Sequence, residues 1–271
     1  MARTDTLGNF LTDVADAIRT KAGTSEPIQA SSFDTAIANI PSGGGADLSE
    51  YFVTEITENT TQQTAIQPIK KCPTIIVSNT VTSLTFAFGW HNITVPSLKV
   101  LFPNSVTTTE QMFYVAYGMD EIDLTGSNAE NVTNMRHMFG MITNAYAYDN
   151  DRLTTIIFGS DFNTKKVTRM DNMFAYRHSL TTLDLSMFET PALTRTGDMF
   201  TKCTALRHID MRNFDFSGVT TYYGNTFGNN ASNGVPNDCE IIVKDQTQKD
   251  WVTSKFSRLT NVKTVEEYEA E

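Results

Sequence analysis

The stretch VTNMRHMF, residues 132–139, recurs with small changes as VTRMDNMF at 167–174 and LTRTGDMF at 193–200. Two further copies read VTTTEQMF at 106–113 and VTTYYGNTF at 219–227. The copies end in five phenylalanines, separated by 26, 35, 26 and 27 residues: Phe113, Phe139, Phe174, Phe200 and Phe227. A sequence motif that recurs about every 20 to 50 residues is typical of a solenoid, in which each repeat forms one supersecondary unit. The spacing therefore predicts a repeat protein.

A short strand-like segment precedes most copies of the phrase. Its first, fourth and sixth positions are apolar in MDEIDL (119–124), LTTIIF (153–158), LTTLDL (180–185) and LRHIDM (206–211), and EIIV (240–243) closes the series. This pattern predicts one strand per repeat, stacked as a parallel sheet about 4.8 Å from its neighbours. The Met-Phe pairs would fill the interior on the opposite wall. We therefore interpret the repeated phenylalanines as a core ladder and not as a cofactor site.

The segment TTLDLSMFETPALTRTGDMFTKCTALRHIDM, residues 181–211, resembles the repeats of the BspA-like leucine-rich-repeat family. Phe188, the pair at 199–200, Cys203 and Leu206 stand at family positions, and the resemblance covers residues 106–243. It implies surface display and adhesion or recognition, and no catalysis. The chain departs from the family in a longer second interval, at 140–152, and in an irregular end to the fifth repeat, at 228–238. Insertions in solenoids are exposed loops that often lie on the binding side.

The sequence of residues 1–41 predicts a separate helical module. One helix would present an apolar stripe at helical spacing, and a second short helix would end before Pro41. The residues that we assign to virion or oligomer attachment are Leu7, Phe10, Leu11, Val14, Ile18, Phe33 and Ile37. Two such helices bury too little surface to be stable alone, so their stripes need a partner.

The segment LGNFLTDVADAIRTKAGTSEPIQASSFDTAIANI, residues 7–40, also resembles a module at the start of phage and prophage structural proteins of the tail or appendage. That resemblance implies a virion-associated protein, attached through its N-terminal helices. It agrees with the physical inference that the apolar stripes pack on each other, on copies from neighbouring subunits or on another protein.

The predicted fold class is α+β, a short helical module followed by a leucine-rich-repeat-like parallel β solenoid. We assign 1–41 to the attachment module, 42–68 to a glycine-rich hinge and connector, and 69–271 to the solenoid. The solenoid would have an N-terminal cap at 69–105, with strands at 75–77, 84–88 and 97–102. A C-terminal cap at 244–271 would contain a helix near 246–257 and a polar tail, with Trp251 and Phe256 covering the end of the core.

Composition excludes several classes of function. The net charge of −10 disfavours nucleic acid and anionic membranes as partners, because both attract basic surfaces. An apolar content of 40% supports a folded core, and no apolar run is long enough to span a bilayer. The N-terminus lacks the features of a secretory signal, so we expect synthesis in the host cytoplasm followed by assembly into a virion. The three cysteines are interpreted as buried free thiols.

No motif indicates catalysis, a cofactor or a metal, and we predict that the chain is not an enzyme. Asp123, Asp184 and Asp210 recur at the fifth strand position, where we expect an exposed, solvated row, with a calcium site as the alternative. Tyrosine offers a flat apolar ring with a polar tip, which suits contact with sugars or proteins. The residues proposed for ligand or partner contact are Tyr114, Tyr146, Tyr148, Tyr176, Tyr222 and Tyr223.

Together these features favour a non-enzymatic phage structural or appendage protein that displays a repeat domain for adhesion or host recognition. Its partners would be other virion proteins, a host surface glycan or protein, and copies of itself in a homo-oligomer. One alternative is a bacterial cell-surface adhesin of the same repeat family. Another is a carbohydrate-active enzyme, which would need two carboxylates at glycosidase separation on one concave face.

Overall fold

The computed structural model describes residues 54–61, 74–90, 93, 95–142, 149–220 and 223–271. The chain divides between Ser49 and Glu50 into two units, and all described residues belong to the second. The predicted helices of residues 1–41 lie outside the described residues, as do all seven residues that we assigned to attachment.

Within the described residues, nine short strands form two parallel sheets. The first sheet contains β1 (Thr54–Ile56), β2 (Thr74–Val77), β3 (Ser97–Leu101), β4 (Glu121–Asp123) and β5 (Thr155–Ile157), in chain order. The second contains β6 (Thr182–Asp184), β7 (His208–Met211), β8 (Glu240–Val243) and β9 (Val262–Thr264). A 3₁₀ turn (Ala231–Asn233) and two helices, α1 (Gln246–Lys255) and α2 (Val265–Glu269), complete the description. Parallel sheets with few helices agree with the α+β class and with a repeat-like parallel fold.

The strands bury the positions that the sequence pattern singled out. Ile122 of β4 is aligned with Leu98 on one side and Ile156 on the other, and all three are buried. Side chains alternate between the faces of a strand, so a slip of one residue would move this apolar row into water. The first, fourth and sixth positions of all four segments are buried, as predicted.

The five closing phenylalanines and Phe88 form one stacked ladder, which confirms the prediction of an aromatic core. Successive ring centroids lie 5.1 to 5.6 Å apart, and the interplanar angles do not exceed 16°. The rings in order are Phe88, Phe113, Phe139, Phe174, Phe200 and Phe227. Offset stacking of this kind adds about 0.5–1.5 kcal/mol per pair to the burial of the rings.

The repeated phrase forms a turn that ends in the ladder phenylalanine. Its third positions make isolated parallel bridges from one repeat to the next, as between Asn134 and Arg169. The sixth position has a left-handed backbone, with φ of 54° at His137 and 55° at Asn172. Non-glycine residues adopt this conformation at a cost. Here the turn brings both residues of the following Met-Phe pair to full burial.

The predicted strand at 84–88 is wrong, because residues 81–88 form a further copy of the phrase. Phe86 has the left-handed φ of the sixth position, at 58°, and Phe88 stacks on Phe113. The copy was missed because VTSLTFAF has alanine where the others have methionine, so its alternating apolar residues imitate a strand.

The sheets extend beyond the boundaries that the sequence suggested. β1 lies inside the predicted connector at 42–68 and pairs in parallel with β2. At the other end, the helix near 246–257 is present as α1, but β9 and α2 replace the predicted polar tail. β9 pairs with β8 and buries Val262, which covers a strand edge that would otherwise be open. Trp251 stacks on Phe216 at 4.4 Å, and Phe256 meets Phe227 at 5.3 Å.

Candidate functional site: an aromatic patch on the repeat turns

Two of the predicted contact tyrosines come together on the turn side of the repeats. Tyr114 and Tyr176 pack with Tyr117 and Ile142 around a small apolar cluster of Val115 and Met141. This cluster is separate from the main core. Val115 and Met141 are buried, whereas the tyrosines are half-buried, so their rings form part of the surface.

Two further aromatic residues extend this surface. The Trp90 ring meets the Tyr114 ring edge to face at 5.8 Å, and Phe86 meets the same ring at 6.3 Å. Trp90 is 44% exposed, which is unusual for so large an apolar side chain. We define the aromatic patch as Phe86, Trp90, Tyr114, Tyr117, Ile142 and Tyr176.

One position in the repeat supplies part of the patch, Trp90 and Tyr176, and its buried support, Val115 and Met141. Trp90, Val115, Met141 and Tyr176 each follow a closing phenylalanine by two residues. At Trp90, Val115 and Tyr176 the backbone is left-handed, with φ between 58° and 66°. Hydrogen bonds of 2.8 to 2.9 Å join these turns, from Trp90 N–H to the Tyr114 carbonyl and from Val115 N–H to the Gly140 carbonyl. The repeat therefore holds side chains from four turns in one row.

Tyr114 and two titratable neighbours in the described part of the chain, His137 and Arg136, are uncharged or paired at neutral pH. Burial raises the pKa of Tyr114, although the positive charge of Arg136 opposes this shift, so the phenol stays protonated at neutral pH. Burial also lowers the pKa of His137 to about 4, and the His137 ring contacts Tyr114 at 5.0 Å. Arg136 is paired with Glu110 at 2.9 Å. The result is an aromatic surface without an unpaired charge among these groups, suited to a neutral ligand or a polar-aromatic protein surface.

A fully buried arginine supports the turns that carry the patch. Arg177 donates to the Asp151 carboxylate at 2.6 Å and to the carbonyls of Ala116 and Phe139 at 2.9 and 2.5 Å. Both members of this ion pair are inaccessible to solvent. In the next repeat the same position is Cys203, whose thiol donates to the Phe174 carbonyl at 3.1 Å. Arg177 thus donates to carbonyls of two earlier repeats, whereas the thiol donates to a carbonyl of one.

The other predicted contact residues lie elsewhere. Tyr223 packs against the main core at the C-terminal end, where its ring meets Trp251 at 5.8 Å. Lys255 lies 5.3 Å from the Tyr223 ring, beside a cavity of about 300 Å³. Tyr146, Tyr148 and Tyr222 lie outside the described residues.

The expected exposed row of aspartates is found only in part, because Asp184 is exposed whereas Asp123 is half-buried and Asp210 is buried. Asp123 pairs with Lys99 at 2.8 Å, and Asp210 pairs with Arg212 at 2.7 Å. Asp184 accepts a hydrogen bond from the backbone N–H of Ser186 at 2.9 Å. In the part of the chain that the structure describes, no group of three histidine, cysteine or acidic side chains is placed to hold a metal ion. The calcium alternative therefore gains no support from these residues.

Cys203 and Cys239 are free and buried, which confirms the interpretation for these two thiols. Burial raises the pKa of both, that of Cys239 to about 12. Among the described helices, none has the length and apolar character needed to cross a bilayer.

The comparison with known families identifies the repeats. Residues 78–155 and 110–237 match the model of a family described as Mycoplasma protein of unknown function, DUF285, and together the matches span more than half of the chain. The chain belongs to this family. Membership supports the resemblance to BspA-like repeats. No curated protein and no solved structure matches the chain.

Sequence reasoning found two residues of the aromatic patch on these DUF285 repeats and missed the other four. Tyr114 and Tyr176 stood out because they follow Met-Phe pairs, but Trp90 follows Phe88 in the copy that was read as a strand. A search for a valine-threonine pair with phenylalanine six residues after the threonine would have found this copy, and with it Trp90. Phe86, Tyr117 and Ile142 carry no such signal, because their contacts join different repeats.

Proposed function

We propose that this chain is a non-enzymatic recognition protein of a phage particle, and that its described part is a leucine-rich-repeat-like solenoid displaying the aromatic patch. One observation carries the recognition role, the row of half-exposed rings around Trp90. Large apolar side chains on a surface mark interaction sites, and tryptophan and tyrosine dominate the binding energy at such sites. Support for the solenoid comes from the parallel strands, the phenylalanine ladder and the repeat family.

The attachment half of the proposal depends on the sequence of residues 7–40. Their resemblance to phage structural modules supports docking on a virion, with Leu7, Phe10 and Leu11 in the contact. A homo-oligomer agrees with this role, because displayed proteins are commonly symmetric assemblies. Host surface glycans and proteins are the expected ligands of the patch.

A second candidate is a surface adhesin of a bacterial cell. The description of the matching family favours it, since it names Mycoplasma proteins and not phage proteins. Immunogold labelling of the source culture distinguishes the two. Label on purified particles supports the phage protein, whereas label on the envelope of cells without particles supports the adhesin.

The recognition role is tested with the full-length chain, labelled and added to host cells in flow cytometry. We expect Trp90→Ala to reduce cell labelling at least about tenfold, since a central aromatic anchor contributes about 2 kcal/mol or more. Tyr268→Ala is the matched control, because Tyr268 is a half-buried ring that contacts His208 and lies outside the patch. Equal labelling by the two variants would show that the patch does not bind the host.

Attachment is tested separately with Leu11→Asp. This variant should not co-sediment with purified particles, but it should still label host cells. If it co-sediments with particles as the unchanged protein does, the first helix is not the attachment site.

A further inference from the structure

A cavity of about 630 Å³ opens on the outer face of the sheets, where the first sheet ends at β5 and the second begins at β6. Volumes of about 300–1,000 Å³ are typical of sites for small ligands. The walls come from the end of β5 and its turn, from the end of β6 and its turn, and from the turn after β7. The aromatic patch contributes no residue to this cavity.

The floor of the cavity is aliphatic. Ile157 is 39% exposed there, and it lies in register with Asp123 on a face where its neighbours are polar. Met187, which packs partly buried against the core, adds a flexible thioether beside it. A surface of this kind favours the methylene chain of a ligand, because contact with it removes apolar CH₂ groups from water.

The rim of the cavity offers hydrogen-bond acceptors. One oxygen of the Asp184 carboxylate accepts from Ser186 N–H, and Asn213 donates its amide to the Ser186 carbonyl at 2.5 Å. The second Asp184 oxygen, the Ser186 hydroxyl and the Asn213 side-chain oxygen make no hydrogen bond among the described residues, although Asp184 also interacts electrostatically with Arg212. Three acceptor atoms therefore surround an aliphatic floor.

The charge of the rim favours a cation. Arg212 also lines the cavity, but Asp210 binds its guanidinium through Nε and Nη2, and Glu269 lies 3.4 Å from Nη1. With Asp184, three carboxylates accompany one guanidinium. The positive charge of Arg212 is thus compensated, and the exposed carboxylate of Asp184 leaves a negative local field.

We propose that this cavity binds a primary ammonium group on an unbranched aliphatic chain, as found in a lysine side chain of a partner protein or in a free diamine. The ammonium group has three N–H donors, which match the three acceptors of the rim. Its methylene chain covers Ile157 and Met187 while the charged end stays at the wet rim. The site is independent of the recognition role of the aromatic patch.

The test is a titration of the full-length protein followed by NMR of isotope-labelled isoleucine and methionine methyl groups. The probes are Nα-acetyl-lysine methylamide, its Nε-acetylated derivative, and 1,5-diaminopentane. We expect saturable shifts at the Ile157 and Met187 methyl groups with at least one amine. The Nε-acetylated probe, which lacks the charge, should bind at least about tenfold more weakly.

Two variants localise the interaction. Asp184→Asn should weaken amine binding at least about tenfold, and its side-chain oxygen still accepts from Ser186 N–H, so the turn is preserved. Asp123→Asn is the matched control, because it removes the same charge from the same strand position outside the cavity.

The amine probe that binds with higher affinity identifies the source of the ammonium group. Tighter binding of the capped lysine indicates a protein partner, and tighter binding of the diamine indicates a free ligand. The proposal is overturned if neither amine shifts the two methyl groups, if the acetylated probe binds equally well, or if Asp184→Asn binds like the unchanged protein.

Discussion

Replacement of Arg177 by methionine should destabilise the protein more than any exposed arginine replacement. The guanidinium is fully buried, and it binds Asp151 and three backbone carbonyls, those of Phe113, Ala116 and Phe139. Methionine has a similar length but no donor. The variant therefore leaves a buried carboxylate without its counter-charge.

The expected magnitude follows from the burial of the pair. Removal of one partner of a buried ion pair costs about 3–5 kcal/mol, because the remaining charge keeps its desolvation penalty and loses its compensation. An exposed pair contributes only about 0–1 kcal/mol, since water and salt screen it. Arg152→Met is the matched control, because Arg152 binds Asp120 at 2.9 Å but both side chains are exposed.

The assay is urea denaturation at pH 7, followed by circular dichroism, for the unchanged protein and both variants. We expect Arg177→Met to lower the free energy of unfolding by about 3–5 kcal/mol and Arg152→Met by less than about 1 kcal/mol. The double variant Arg177→Met with Asp151→Asn should be more stable than Arg177→Met alone, since it removes the uncompensated charge. Equal costs for the two single variants would refute the reasoning, and so would a double variant that gains no stability.

Three further predictions concern the ladder, pH dependence and the left-handed turns. Phe174→Ala should cost about 3–5 kcal/mol in urea denaturation because Phe174 is fully buried between two stacked rings, whereas the exposed Ile157→Ala should cost less than about 1 kcal/mol. The lowered pKa of His137, about 4, means that the unfolded chain binds the proton first. The contribution of neutral His137 to the free energy of unfolding is therefore fully present above about pH 6.5 and is lost as the pH falls toward 4. We expect this loss to be roughly 1–2 kcal/mol, because His137 is partly exposed to solvent. His137→Asn, which copies the Asn172 turn, should lack this loss when unfolding is measured at pH 7 and pH 4.5, and an unchanged loss would contradict the assignment. Gln111→Gly should preserve or raise stability, while Gln111→Val should lower it by about 1–2 kcal/mol, because φ at this position is 58°.

Much of the fold was predictable because it repeats. A position that is buried in every repeat carries an apolar residue at a nearly constant interval. The ladder phenylalanines and the buried strand positions could therefore be predicted from the sequence. The same reasoning failed at 81–88 and at 262–264, where the phrase or strand is altered near an end of the array. There a residue such as Val262 is buried only because β8 offers an open edge.

The candidate sites were less predictable because they join residues from different repeats. Tyr114 and Tyr176 were proposed from their positions after Met-Phe pairs, but the contact of Trp90 with Tyr114 depends on how two turns stack. The cavity beside Ile157 depends on the interruption between β5 and β6, and no local pattern marks an interruption.

The sequence by itself therefore determined the repeat, the aromatic core and the parallel strands, since periodic burial leaves a periodic pattern. Only the tertiary structure decided that Arg177 is buried with Asp151, that four turns share one aromatic surface, and that the sheet divides above an aliphatic cavity. These features depend on contacts between residues 24 to 64 positions apart. Such contacts form when the repeats stack, and the identity of one residue does not reveal which distant residue will lie against it.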